Sequence, residues 1–196
     1  LTTTKGLVRY APEESCQVFT RSDGLQSEQF LVNAALKASD GKIYIGSVNG
    51  FNAFYPYQIK TNKVLPPVII TGLEGFNKEI RIGDKLLPKA LNHMEQLELS
   101  YKDHVFSLLY ASLSYCTPEK NQYAYKLEGF DKEWNYVGSQ NKATYTNLPA
   151  GTYTFKVKAT NNDGIWSEQE ASLKIVIHPP FYWSLPAKLL YFLLLC

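Results

Sequence analysis

The sequence predicts an all-β fold: a two-sheet sandwich, preceded by a smaller strand-rich region and closed by a short apolar C-terminal helix. Three observations carry that expectation. Aromatic residues are abundant, with 14 Tyr, 10 Phe and 3 Trp among 196 residues, and with Val, Ile and Thr they favour pleated, half-buried strands. Period-two alternation is plainest in "TYTFKVKA", which puts Tyr153, Phe155, Val157 and Ala159 on one face and Thr154, Lys156 and Lys158 on the other. Asp-Gly and Asn-Gly pairs punctuate the apolar runs, and glycine there supplies the positive φ that tight hairpins need.

Residues 1–62 read as short strands between turns: "GLVRYA", "CQVFTRSDGL", "FLVNAALKAS", then "KIYIGS" after Asp40-Gly41 and "FNAFYP" after Asn49-Gly50. "GLVRYAPE" and "GFNAFYPY" share a pattern at an offset of 44 residues, within the ~40–50-residue period of propeller blades. About one and a half blades of a β-propeller, or two unrelated hairpins, would give that echo. "KTNKVLPPVII" then changes character, because neither Pro66 nor Pro67 can donate to a β ladder. A boundary is expected there. Residues 66–178 follow with "VIITGLEGF", "MEQLELSY", "HVFSLLYASL", "QYAYKLEGF", "ATYTNL", "GTYTFKVKATN" and "SLKIVIHP". Short antiparallel strands in that number fit a fibronectin III or immunoglobulin-like sandwich. "LPKALNHMEQLEL" contains Pro88 and lies between strands, so at most a turn of helix is expected.

Residues 179–196 form the third segment. From Leu185 to Cys196 the one charge is Lys188. As a helix this run would extend ~18 Å, short of the ~30 Å of a bilayer core. Two readings are open, a membrane-spanning helix cut short or a helix docked on the sandwich. "LLYFLLLC" is apolar on every face rather than on one stripe, which favours the first. Phe181, Tyr182 and Trp183 stand where an interfacial aromatic belt would lie. The chain starts inside a strand-like pattern, as a piece of a longer protein would.

Composition excludes several classes. Net charge is +2, with 20 basic and 18 acidic side chains well mixed, so no nucleic-acid footprint exists. Cys16, Cys116 and Cys196 make no metal-ligand pattern; two free or buried thiols are favoured over a Cys16–Cys116 disulfide. His93, His104 and His178 are widely spaced, and no nucleotide or hydrolase motif occurs. Glu128, Asp131 and Glu133 lie close together but on one turn, where solvated charges are expected rather than a catalytic pair. No catalytic residue, metal or cofactor is expected.

"YKLEGFDKEW", "ATYTNLPAGTYTFKVKA", "NNDGIWSE" and "PPFYWS" in that order resemble the three-tyrosine (Y_Y_Y) domain, found just outside the membrane in hybrid two-component sensors of gut-type bacteria. Tyr125, Tyr145 and Tyr153 match the tyrosines of its name. "DGLQSEQFLVNAALKASDGKIYIGSVNGFNAFYP" is similar to the last blade of the sensor propeller that precedes it. The resemblance implies a sensor and relay segment on the periplasmic side of the inner membrane, an oligosaccharide ligand held by propeller blades, a homodimer, and a kinase beyond the membrane. The alternative is a fibronectin-like spacer or carbohydrate-binding module of a secreted glycan-degrading protein.

Within this frame the tyrosines are expected to be structural, Tyr153 as a tyrosine corner after "LPAG". Trp134 and Trp166 are expected in the core rather than as sugar platforms. Gln26, Gln29 and Asn49 are the ligand candidates, since amides suit sugar hydroxyls. Pro179 and Pro180, with Phe181, Tyr182 and Trp183, are expected to form a stiff juxtamembrane joint.

Overall fold

The computed structural model describes residues 1–10, 16–114 and 116–180. The chain folds as two compact units, Leu1–Lys63 and Val64–Cys196. The apolar C-terminal run and Phe181, Tyr182 and Trp183 lie outside the described residues.

The first unit contains two three-stranded antiparallel sheets. One is formed by β1 (Thr2–Thr3), β2 (Gly6–Arg9) and β3 (Gln17–Phe19). The other is formed by β4 (Phe30–Lys37), β5 (Ile43–Ser47) and β6 (Gly50–Phe54). Both glycine turns are where the sequence puts them. Asp40 accepts from the Lys42 N–H at 3.0 Å and from the Tyr55 hydroxyl at 2.9 Å, closing the β4–β5 turn. The β4–β5 register breaks between Phe30 and Ala35, where Asn33 takes a φ of 59°. Burial in this unit is thin. Leu7 and Ile45 are its buried hydrophobic residues among those described, while Leu31, Val32, Leu36 and Phe51 are exposed.

The second unit is a sandwich. One sheet runs in the order β13-β10-β7-β8 and the other β12-β11-β14-β15-β9. The strands are β7 (Val68–Gly75), β8 (Lys78–Ile80), β9 (Gln96–Ser100), β10 (Val105–Ser112), β11 (Tyr123–Glu128), β12 (Asn135–Gly138), β13 (Lys142–Thr146), β14 (Gly151–Ala159) and β15 (Ala171–His178). Alternation buries one face of each long strand: Tyr153, Phe155, Val157 and Ala159 on β14 face Leu73, Leu108 and Tyr110 from the opposite sheet.

Two features depart from the expected all-antiparallel arrangement. Short strands β8 and β12 add to the seven the sequence suggests. In addition, β9 pairs with β15 in parallel, Leu97 opposite Ile175 and Leu99 opposite Ile177. The crossover explains the direction. After the β7–β8 hairpin, residues 81–95 carry the chain to the other sheet through one 3-10 turn, Leu91–His93. Strand β9 then starts over in the direction of β7, which is also the direction of β15.

Register fixes two ends. The start of β7 lies beside the end of β10, Val68 opposite Ser112, so the chain comes in at what we call the upstream end. The end of β15 lies beside the start of β14, Ile177 opposite Gly151, and the β13–β14 loop joins that point to Thr146, opposite Val105 at the start of β10. The chain therefore leaves at the opposite, downstream end, eight residues of strand away, or ~26 Å at 3.3 Å per residue.

Candidate functional site

The three named tyrosines occupy two different settings. Tyr125 on β11 and Tyr145 on β13 project into the interior, where their ring centroids are 6.1 Å apart at 75°. Phe155 lies 6.0 Å from Tyr125 and 6.4 Å from Tyr145. Tyr110 completes the group, 6.2 Å from Phe155 and 5.3 Å from Tyr123. These tilted and edge-on contacts suit the ring quadrupole. Tyr153 sits apart, at the mouth of β14, and its hydroxyl donates to the Pro149 carbonyl at 2.9 Å, four residues upstream. This is the corner geometry, and Gly129, at φ +94°, makes room for it. A Cβ there would stand 3.1 Å from the Tyr153 ring.

The hydroxyls of Tyr145, Tyr110 and Tyr123 are also engaged. Tyr145 donates to Asp131 Oδ2 at 3.0 Å, and the same oxygen accepts the Leu127 N–H at 2.8 Å. Tyr110 donates to the Gln140 carbonyl at 3.2 Å, and the Tyr123 hydroxyl accepts the Ser112 N–H at 3.2 Å. Burial first, then the Asp131 carboxylate, holds the Tyr145 hydroxyl far above the usual phenol range. Burial raises Tyr110 and Tyr125 as well. These phenols are kept neutral, as interior hydrogen-bonding rings should be. The pattern is that of packing and positioning, not of an acid or base poised for chemistry.

Asp131 was legible only as a turn charge, yet it caps β11 and ties the two sheets together. Glu128 pairs instead with Lys156 at 2.7 Å on the outer face, and Glu133 is exposed. The three acids face no common cleft. Among the described residues no group of three or more His, Cys, Asp or Glu side chains could hold a metal ion. Cys16 and Cys116 are free and exposed.

Trp134 and Trp166 are not in the core. Both are half-buried on the outer face of the five-stranded sheet, and they flank the Lys158 ammonium at 4.3 and 5.4 Å. Tyr136 adds a third ring at 5.8 Å and meets Trp166 edge-on at 5.4 Å. The reason is parity: Lys158 points away from the interior because Val157 and Ala159 point toward it. The cluster clips the edge strand β12 and the β14–β15 loop to the sheet, with a cation–π attraction of ~0.5–2 kcal/mol at such sites.

The ligand candidates come together at one end of the β5–β6 hairpin, and all three are exposed. The Gln26 N–H donates to Asn52 Oδ1 at 3.1 Å. The Gln29 N–H donates to Ser27 Oγ at 3.1 Å, and its carbonyl accepts the Val48 N–H at 3.2 Å. Asn49 forms the turn that Ser47 Oγ closes onto the Gly50 carbonyl at 3.0 Å. Gln29 also edges a groove of about 590 Å³ lined by Thr2, Thr4, Leu31, Val32 and Ile45. Asn52, which holds the Gln26 backbone, had no signal in the sequence beyond its place after a turn. Pro179 and Pro180 follow β15 directly at the downstream end.

The second unit is a tyrosine-cornered, immunoglobulin-like sandwich, and a small strand-rich unit precedes it in the chain. The particular kind follows from comparison. Residues 114–178 match the Y_Y_Y domain. Over 182 residues, 91% of its length, the chain is 34% identical to Histidine kinase P4 of Formosa agariphila, of which it covers 13%. It is also similar to the extracellular domain of the hybrid two-component system BT3049 from B. thetaiotaomicron, with 28% identity and a TM-score of 0.68 over 86% of this chain and 23% of that one. The extracellular domain of BT4673 from the same organism gives 26% identity and a TM-score of 0.55, covering 92% of this chain and 24% of that one. The chain thus carries a match to the Y_Y_Y domain over residues 114–178 and resembles the extracellular region of two-component sensors, while spanning less than a quarter of each of these relatives.

Proposed function

We propose that the chain is the membrane-proximal part of an extracytoplasmic sensor, on the periplasmic side of the inner membrane of a two-component system. It passes a binding event from propeller blades ahead of it to a transmembrane helix and a cytoplasmic kinase. The observation that carries this reading is the placement of the two chain crossings. The sandwich takes the chain in at one end and releases it at the other, directly into "PPFYWSLPAKLLYFLLLC". No helix among the described residues is long and apolar enough to cross a membrane, so the anchor is assigned to the segment after Pro180 on sequence alone. A secreted spacer has no use for such a run.

An oligosaccharide is the proposed ligand class, with Gln26, Gln29 and Asn49 as contacts on the first unit. Amide groups at the end of a hairpin suit hydroxyl-rich ligands. A homodimer is the proposed assembly, since one kinase must act on another and two-fold pairing is the common symmetry. The test is made in the full-length receptor in its own membrane, with Pro179→Gly and Pro180→Gly combined. Ligand affinity is expected to stay unchanged while ligand-dependent autophosphorylation is lost. Full signalling in that variant would remove the stiff joint, and a periplasmic reporter fused after His178, ahead of the apolar run, that stays cytosolic would remove the sensor reading.

A further inference from the structure

The downstream end of the sandwich gathers a set of exposed aromatic tips. Phe76 in the β7–β8 turn is 56% exposed, Phe130 in the β11–β12 loop 53%, and Tyr101 in the β9–β10 loop 39%. Register puts all of them at the end where β15 stops. The Phe76 N–H donates to the Val105 carbonyl at the start of β10, and its ring stands edge-on to His104 at 6.0 Å. Phe130 meets Tyr145 edge-on at 6.3 Å, near the end of β13. A cleft of about 210 Å³ between the β9–β10 and β13–β14 loops is lined by Tyr101, His104, Leu148 and Ile177, the residue before His178.

Phe76 is the informative member. Gly75 pairs with Lys78, so Phe76 and Asn77 form a two-residue hairpin turn, at φ 51° and 60°. Asn or Gly takes that conformation at least cost, and a bulky aromatic there is an outlier. Packing alone does not account for the residue, which is 56% exposed.

Charge at this end is balanced. Asp103 is turned onto the Ser100 N–H and hydroxyl, both at 2.8 Å, and Asp131 onto Leu127 and Tyr145. Lys78, Lys102 and Lys132 are exposed at this end, with Glu79 and Glu133 as exposed acids. Exposed aromatics flanked by lysines, without a net acidic field, are what the water–lipid interface favours. The chain then continues from His178 through Pro179 and Pro180 into Phe181, Tyr182, Trp183 and the apolar run. A second protein copy would more readily meet the sheet edges, β12 and β9 or β13 and β8. A surface that lies across the path of the departing chain suits a bilayer.

We propose that the downstream end of the sandwich rests on the lipid surface, with Phe76, Phe130 and Tyr101 at headgroup depth and Lys102 and Lys132 among the phosphates. This rests on the reading of the segment after Pro180 as a membrane anchor. The docked end leaves the sandwich able to slide or tilt on the bilayer but not to lift from it.

The test uses the full chain reconstituted in phosphatidylcholine nanodiscs, with or without lipid brominated near the headgroup end of the acyl chain. Phe76→Trp and Phe130→Trp each add one emitter at the downstream end, and Leu113→Trp adds one at the upstream end as control. Brominated lipid is expected to quench about half of the emission added at positions 76 and 130 and almost none of that added at 113, as interfacial burial requires. Native Trp183, isolated by its loss in Trp183→Phe, reports the anchor. Quenching of Trp183 with positions 76 and 130 behaving like 113 would overturn the docking and leave the anchor standing. Quenching at all three added positions would overturn the end-specific contact. No quenching anywhere, Trp183 included, would overturn the anchor reading and the docking with it.

Discussion

Replacing Tyr145 with Phe isolates one hydroxyl. The ring is buried, and its contacts with Phe106, Tyr125, Phe130 and Phe155, at centroid distances of 5.8 to 6.4 Å, survive the change. What is lost is the 3.0 Å hydrogen bond to Asp131 Oδ2. Hydrogen bonds to charged groups contribute about 1.5–3 kcal/mol. Asp131 is half-buried and keeps the Leu127 N–H, so water can reach the freed lone pair and the net cost falls to about 1–2 kcal/mol. For a domain of this size that lowers Tm by roughly 3–10 °C. The assay is thermal and urea unfolding followed by tryptophan emission. It does not read the first unit, because the first tryptophan is Trp134, and Trp134 and Trp166 stand on the sandwich. A cycle with Asp131→Ala should give a coupling of about 1–2 kcal/mol. Tyr153→Phe, whose partner is the neutral carbonyl of exposed Pro149, should cost less, about 0.5–1.5 kcal/mol. Strict additivity of Tyr145→Phe and Asp131→Ala, or a Tyr145→Phe protein as stable as the parent, would refute the claim that Asp131 ties the sheets through this ring.

Phe155→Ala should remove about 3–5 kcal/mol, since Phe155 is fully buried against Tyr110, Tyr125 and Tyr145; a urea midpoint unchanged from the parent would contradict the packing described. Alkaline pH should destabilise the sandwich. Tyr110, Tyr125 and Tyr145 have raised values in the folded state, so the stability they confer is complete below their unfolded value of about 10 and is lost as pH climbs above it. Absorbance at 295 nm should show these three ionising only as the tryptophan signal reports unfolding; their ionisation near the ordinary phenol value with the fold intact would count against it. Lys158→Gln should cost about 0.5–1 kcal/mol and alter tryptophan emission, whereas an unchanged spectrum would mean that Trp134 and Trp166 do not hold the ammonium.

Much of the sandwich was legible because its long strands bury one face. Period two in residues 153–159 fixes which side of β14 is interior, and the same logic reads β10 and β15. Strands β8 and β12 escaped because "KEI" and "NYVG" are edge segments with little buried surface and hence little apolar pattern. The parallel β9–β15 pair escaped for another reason. Alternation assigns faces, not directions, and direction here depends on how residues 81–95 cross between sheets. Trp134 and Trp166 illustrate a limit of composition: large rings suggest a core, but neither lies on an inward-facing position, and both cover the exterior of the sheet beside Lys158. Tyr110 and Asp131 become special only through partners distant in sequence, Gln140 for the first and Tyr145 for the second.

The way the interior is tied decides how a signal can pass through it. Tyr145 and Tyr110 on one sheet, Tyr123, Tyr125 and Phe155 on the other, form a continuous stack of rings across the sandwich. Hydroxyl bonds from Tyr145 to Asp131 and from the Ser112 N–H to Tyr123 cross between the sheets as well. Sliding one sheet on the other would break these bonds together. Each contributes about 0.5–3 kcal/mol, and disturbed ring contacts add about 0.5–1.5 kcal/mol apiece. The total exceeds the 1–3 kcal/mol that couples two sites in a typical allosteric protein. Internal shear is therefore the costlier route. On the proposed relay, a force applied where the chain comes in at Val68 would move the sandwich as one body and so reach Pro179 and Pro180, where the chain leaves it.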